Sequence, residues 1–208
     1  MRVIIFGATG NVGKQLTFQA LAQEHQVTAF TRNKEKLHDI RHNNFRIVSG
    51  DVLDYPSVLK AVKEHDAVLC SLGAGRKGVV RSQGTKNILR AMNETGVRRI
   101  ICQTTLGCGE SWNNLNFFWK RIMFGWFLKE AFADHELQEK YVMESDVDWT
   151  IVRPGAFVKG ALTGNYRHGF PASDHSVTLK ISPPDVAMFM LDQLASNTYL
   201  RKAPGLSY

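Results

Sequence analysis

The stretch Gly7-Ala8-Thr9-Gly10-Asn11-Val12-Gly13 follows an apolar run at 2–6 and opens a segment in which Val12, Leu16 and Ala20 recur at helical spacing. Glycines between a strand and a helix permit a sharp turn, close approach of the backbone to a pyrophosphate, and tight helix–strand packing. The helix N-terminus adds unpaired N–H groups and the positive end of a dipole. Gly7 to Gly13 are therefore expected to hold the phosphates of a dinucleotide rather than to form an ordinary glycine turn. A carboxylate about 20 residues further on would bind a ribose 2′-hydroxyl, but the chain there reads Phe30-Thr31-Arg32-Asn33-Lys34. Arg32 can stack on adenine and pair with a 2′-phosphate through its planar fork, while Lys34 and Lys36 raise the local potential. NADPH is the expected cofactor, with a solvated loop arginine as the plainer reading of Arg32.

Such a turn needs a sheet to hold it. Short β-branched runs at 2–6, 27–31, 45–48, 67–71, 99–103 and 149–152 alternate with helical patterns, and a helical stretch at 183–197 closes the series. Parallel neighbours need crossover helices, so the alternation predicts an α/β fold, a doubly wound parallel sheet of Rossmann type with strand order 3-2-1-4-5-6. The 208 residues, 44% hydrophobic and 22% charged, suit one domain spanning 1–208. No repeat, low-complexity tract or linker divides them, although the C-terminal third is less regular.

Further motifs run through the chain: Gly50-Asp51-Val52, Asp66-Ala67-Val68, Leu72-Gly73, Thr85-Lys86-Asn87-Ile88, Trp149-Thr150-Ile151-Val152-Arg153-Pro154-Gly155, and Ile181-Ser182 leading to Asp185-Val186-Ala187. With the glycine turn, they make the chain resemble the atypical short-chain dehydrogenases/reductases over nearly its whole length. The stretches Asp134-His135 to Lys140 and Leu162-Thr163-Gly164-Asn165-Tyr166 most resemble the biliverdin reductase B / flavin reductase branch, with NmrA-like proteins as cousins. The resemblance implies that Asp51 and Val52 border the adenine and that Leu72 and Gly73 line the nicotinamide ribose. It also implies that Thr104 and Thr105 lie near the nicotinamide, flanked by Pro154, Gly155 and Ala156. All these positions fall at C-terminal strand ends, where a sheet of this class binds ligands. Arg76 and Lys77 would face the pyrophosphate or an anionic substrate, or simply solvent.

Short-chain dehydrogenases that reduce carbonyls use a tyrosine followed four residues later by a lysine, and none of the tyrosines at 55, 141, 166, 199 and 208 has one. A flavin, a linear tetrapyrrole or a quinone-like acceptor delocalises the charge left by a hydride, so positioning matters more than a strong acid. The expected reaction is hydride transfer from NADPH to such an aromatic or conjugated acceptor, with Thr105, His135 and Lys140 as candidate catalytic groups. Five residues apart on a helix, His135 and Lys140 do not share a face, so at most one should point into the site. His135 has a surface reading as well, and Lys140 an i,i+4 pairing with Glu136. Gly155-Ala156 stands where the biliverdin reductase B branch can carry a second histidine. A non-catalytic NADP(H)-binding sensor or assembly factor of NmrA-like type is the alternative.

Between 112 and 132 lie Trp112, Phe117, Phe118, Trp119, Ile122, Met123, Phe124, Trp126, Phe127, Leu128 and Phe132, interrupted by Lys120, Arg121 and Lys129. At α-helical spacing the apolar residues lie all round. A lid over the nicotinamide, a dimer or partner surface, and an interfacial membrane contact all fit.

The formal charge is +7, and its distribution limits what it can mean: residues 1–104 hold 16 Lys/Arg and 8 Asp/Glu, residues 105–208 hold 10 and 11. The excess coincides with the expected 2′-phosphate site and supports NADP over NAD. It gives no motif for nucleic acid, and Arg90, Arg98 and Arg99 have only a solvated-surface reading. Cys70 and Cys102 fall in apolar strands and Cys108 in a glycine-rich loop where exposure is expected. An odd number of cysteines without ligand spacing suits a reducing compartment, with the cytoplasm expected, and scattered histidines give no metal site. No signal-peptide core or spanning run of roughly 18 apolar residues is apparent.

Overall fold

The computed structural model describes residues 1–208. Strands β1 (Arg2–Phe6), β2 (Gln26–Thr31), β3 (Phe45–Ser49), β4 (Ala67–Cys70), β5 (Arg99–Gln103) and β6 (Asp148–Pro154) pair in parallel in the order β3-β2-β1-β4-β5-β6. This is the strand order expected from the sequence. Two short strands extend that edge: β10 (Gly205–Ser207) runs parallel to β6, and β8 (Arg167–His168) antiparallel to β10. A two-stranded ladder, β7 (Ala156–Phe157) with β9 (Lys180–Ile181), stands at the C-terminal end of β6.

Side chains alternate across a strand, so each central strand feeds two cores. Val3 and Ile5 of β1, Ala67 and Leu69 of β4, and Ile101 of β5 face one layer. It is closed by Val12, Leu16 and Ala20 of α1 (Asn11–Ala22) with Val186, Ala187 and Met190 of α5 (Pro183–Asp192). Ile4, Phe6, Val68, Cys70, Ile100 and Cys102 face the other. There they meet α2 (Tyr55–Val62) through Val58, α3 (Val80–Thr95) through Ile88 and Met92, and α4 (Lys129–Met143) through Val142. Continuous apolar runs instead of alternating ones follow from this double burial.

Several local expectations need correcting. The closing helix ends at Asp192, not at 197. Arg99 is no solvated cation: partly buried, it donates to the carbonyls of Asp148 and Gln193 and to Thr150 Oγ1, tying β5 to β6 and the end of α5. Cys108 is fully buried, and burial pushes its thiol well above the usual range, so it carries no thiolate.

The irregular C-terminal third is organised by Asp185, buried in the first turn of α5. Ser182 caps the helix and donates to the Asp185 carboxylate at 3.0 Å. The same carboxylate accepts from Thr163 N, Gly164 N, Thr163 Oγ1 and Tyr208 Oη at 2.6 to 2.9 Å, so one side chain joins a loop, a helix and the last residue. Burial pushes its pKa up, but these donors outweigh burial and hold it below the usual carboxylate value. A depressed carboxyl stabilises the fold fully above its unfolded pKa, and that contribution fades as pH falls below ~3.9. Asp185→Ala should lower the unfolding free energy by about 2–3 kcal/mol at neutral pH and flatten the acid limb of stability against pH, measured by urea titration across pH.

Candidate functional site

The C-terminal ends of β1, β4, β5 and β6 open on one cavity of about 700 Å³. At its phosphate end the backbone leaves β1 through Gly7, whose φ of +84° is a left-handed conformation costly for any other residue. A Cβ there would lie 2.3 Å from the carbonyl oxygen of Ser71, and one on Gly13 would lie 2.1 Å from that of Gly7. Helix α1 therefore begins hard against the β1 turn. Gly10 caps it without a side-chain hydrogen bond and its first turn holds no acid, so its N–H groups face the cavity with no protein acceptor supplied by the cap. Gly7, Thr9, Gly10, Asn11 and Val12 line the wall, while Ala8 and Gly13 sit behind it as packing residues. A pyrophosphate fits this cradle.

A smaller cavity of about 150 Å³ continues past Leu72 and Gly73 to Val52, Phe30 and Gly50, and Arg32 and Lys36 line both cavities. Arg32 is 71% exposed and lies 3.8 Å from Asp51 Oδ2, itself partly exposed. The resemblance implies Asp51 at the adenine; here β3 brings it beside the end of β2 from 19 positions away, where it pairs with Arg32 and, unlike Val52, lines neither cavity. An exposed pair of this kind contributes roughly 0–1 kcal/mol. The guanidinium stays available to a more highly charged partner. Lys34 lies in a short 3₁₀ turn outside both cavities; Arg76 turns away, its guanidinium 3.9 Å from the Phe127 ring centre.

At the opposite end, Thr104, Thr105, Pro154, Gly155, Ala156 and His135 meet. Thr104 donates to Glu139 Oε1 at 2.6 Å, and Glu139 is held from below by the fully buried Arg153, at 2.9 Å through Nε and 2.7 Å through Nη2. Arg153 Nη1 also donates to Glu110 at 2.7 Å. Burial works against a charged Arg153, but its bonds to Glu139 and the charges of Glu139 and Glu110 outweigh it and hold its pKa above the ordinary arginine value. This buried network fixes the Thr104 rotamer at the cavity floor.

His135 points into the cavity; Lys140 does not. Lys140 is 63% exposed and pairs at 3.9 Å with Glu144 rather than Glu136, so it leaves the candidate catalytic set. His135 Nδ1 lies 3.1 Å from Gln138 Oε1, whose amide nitrogen donates to Thr85, so Nδ1 is assigned the proton and Nε2 is left as an acceptor. Burial, followed by the nearby charge of Arg81, pushes the His135 pKa down to about 3. His135 is therefore neutral at physiological pH and supplies no imidazolium.

Sequence reasoning missed Gln103 and Arg81. Both are buried on the cavity wall, and Gln103 Oε1 and Arg81 Nε have no hydrogen-bond partner. An unmet buried polar atom costs ~1–3 kcal/mol, while the Arg81 Nη atoms are bonded to the carbonyls of Lys77 and Gly75. Gln103 was detectable as the last residue of β5; Arg81 had no local signal. The roof is Leu115, Trp119, Phe124 and Leu128 from the aromatic segment, and no tyrosine lines the chamber.

A family model described as NAD(P)H-binding matches residues 7–197, and the chain belongs to that family. It is 24% identical to the photosystem II assembly factor Ycf39 of Synechocystis over 96% of its own length and 61% of that protein's. The fold is that of ChuY, an anaerobillin reductase from Escherichia coli O157:H7, with a TM-score of 0.83 at 24% identity, covering all of this chain and 97% of that one. It is also that of a short-chain dehydrogenase/reductase from Veillonella parvula in complex with NADP, with a TM-score of 0.84 at 17% identity, covering 100% and 94%.

Removing one partner of a buried ion pair strands the other. Glu139→Ala should therefore cost about 3–5 kcal/mol of stability. Lys140→Ala, one residue along the same helix, should stay within roughly 0.5 kcal/mol. Parallel chemical denaturation of the two variants checks the contrast.

Proposed function

We propose that this chain is an NADPH-dependent reductase that passes a hydride to a flat conjugated acceptor of the flavin, linear tetrapyrrole or quinone type. The observation that carries the reading is the chamber itself: a phosphate cradle opens into an aromatic-roofed space with neither a phenol nor an imidazolium to serve as acid. Bound NADPH supplies the hydride. The first turn of α1 binds the pyrophosphate, and Arg32 and Lys36 draw in the 2′-phosphate. Trp119 and Phe124, 5.6 Å apart, cover the chamber, exclude water and give an aromatic acceptor a surface to pack on. Thr105 donates a hydroxyl hydrogen bond, and its neighbour Thr104 is held by Glu139 as a fixed part of the floor. An acceptor that spreads its new charge over a ring system needs no stronger acid.

The name of the Ycf39 relative supports a second reading, a non-catalytic NADP(H)-binding assembly factor that uses the aromatic segment to hold a partner. NADPH oxidation with FMN, biliverdin and a soluble quinone separates the two. Turnover on at least one acceptor is expected; tight NADPH binding with no turnover on any of them favours the assembly factor.

Two further outcomes follow from named groups. Arg32→Ala should raise the KM for NADPH about tenfold, equivalent to one charge-assisted contact, and leave that for NADH nearly unchanged. Because burial and the charge of Arg81 hold the His135 pKa far below neutrality, kcat/KM should show no His135 step between pH 5 and 8, and His135→Gln should leave the shape of that profile unaltered.

A further inference from the structure

The aromatic segment is not the single α-helix that its length suggests. A 3₁₀ turn covers Gly109–Asn114, a π-helix covers Phe118–Phe127, and α4 follows. Its last turn is closed by Leu128 N donating to Met123 O, an i→i−5 bond. Wider winding changes which residues share a face. Leu115, Trp119, Phe124 and Leu128, four or five residues apart, all turn inward to roof the cavity. Phe117 and Phe118, then Ile122, then Trp126 and Phe127, each group four or five residues after the last, all turn outward. These nine apolar residues thus form two opposed faces, with Met123 half-buried and Trp112 and Phe132 packed against the core beneath the roof. Phe117 is 74% and Trp126 77% exposed, the most open large apolar side chains of the protein.

The charge around the outer face is one-sided. Lys120, Arg121 and Lys129 lie within the segment and Arg76 packs over Phe127 at 3.9 Å, and none of the four has a carboxylate partner. From 111 to 129 there is no Asp or Glu, and of the two bounding acids Glu110 is bound to Arg153, leaving Glu130 at the edge. A second copy of the chain would bring the same cations face to face. Lys120 leans on the Trp112 ring and Arg76 on Phe127, but neither interaction neutralises charge. Bulky exposed aromatics in a segment whose cations have no carboxylate partner match the acyl boundary and headgroups of an anionic bilayer. No helix is long and apolar enough to cross a membrane, so the contact would be peripheral.

We propose that the outer face of the π-helix docks the protein on an anionic lipid surface, which sets the roof of the cavity against the bilayer. The inference does not depend on which acceptor is reduced. The full chain is sedimented with vesicles of phosphatidylcholine alone and with vesicles containing about one-third phosphatidylglycerol, and NADPH affinity serves as the check on folding. About tenfold stronger partitioning onto the anionic vesicles is expected, lost in Phe117→Ser/Trp126→Ser with NADPH affinity unchanged. Lys120→Glu/Arg121→Glu should remove the lipid preference. Failure to sediment with anionic vesicles, or equal sedimentation of the Phe117→Ser/Trp126→Ser variant, would overturn the proposal. So would a dimer of the free protein that the same two substitutions dissolve, because the face would then belong to a second copy.

Discussion

Everything at the site depends on how closely α1 approaches the turn that ends β1. A Cβ on Gly13 would stand 2.1 Å from the Gly7 carbonyl, and one on Gly7 would stand 2.3 Å from that of Ser71. Only two glycines allow the helix N-terminus to be seated this low. Seated there, its unpaired N–H groups form the wall of a cavity that the ends of the central strands then extend. The sheet order places β4, β5 and β6 on one side and β2 and β3 on the other, so a long ligand can lie across the point where the winding reverses.

The far end is governed by a different constraint, the burial of charge. Arg153 and Glu139 are almost wholly removed from water, which is tolerable only because each is bonded to the other through two contacts. Thr104 and Glu110 use the remaining capacity of that pair. The result is a rigid floor beneath a roof of a different kind, a π-wound segment held by aromatic packing, with Phe124 and Phe132 stacked at 4.4 Å. A polar, fixed floor thus faces an apolar, shaped roof across one chamber.

Much of the fold was legible because its signals are local. Fully buried strands read as apolar runs, and the glycine turn lay between a strand and a helix. The turn that brings Gly7, Thr9, Gly10, Asn11 and Val12 to the cavity wall was legible for the same reason. What escaped depends on residues that meet only after folding. Asp51 meets Arg32 where the neighbouring strands β2 and β3 end, Arg99 serves as a cross-link between β5, β6 and α5, and Arg81 comes to the cavity from the start of α3. Lys140 was misplaced because helical rotation alone excludes one of two residues without saying which. The apolar residues of the aromatic segment fall all round at α-helical spacing, and only its wider winding separates a roof from an outer face.

A crystal structure of the NADP⁺ complex tests the proposed role of the cavity most directly. The pyrophosphate should lie against the N–H groups of Asn11 and Val12, the 2′-phosphate within hydrogen-bond reach of Arg32, and the nicotinamide between Thr105 and the Trp119–Phe124 roof. A dinucleotide whose 2′-phosphate sits away from Arg32, or whose nicotinamide lies outside the roofed chamber, would contradict it.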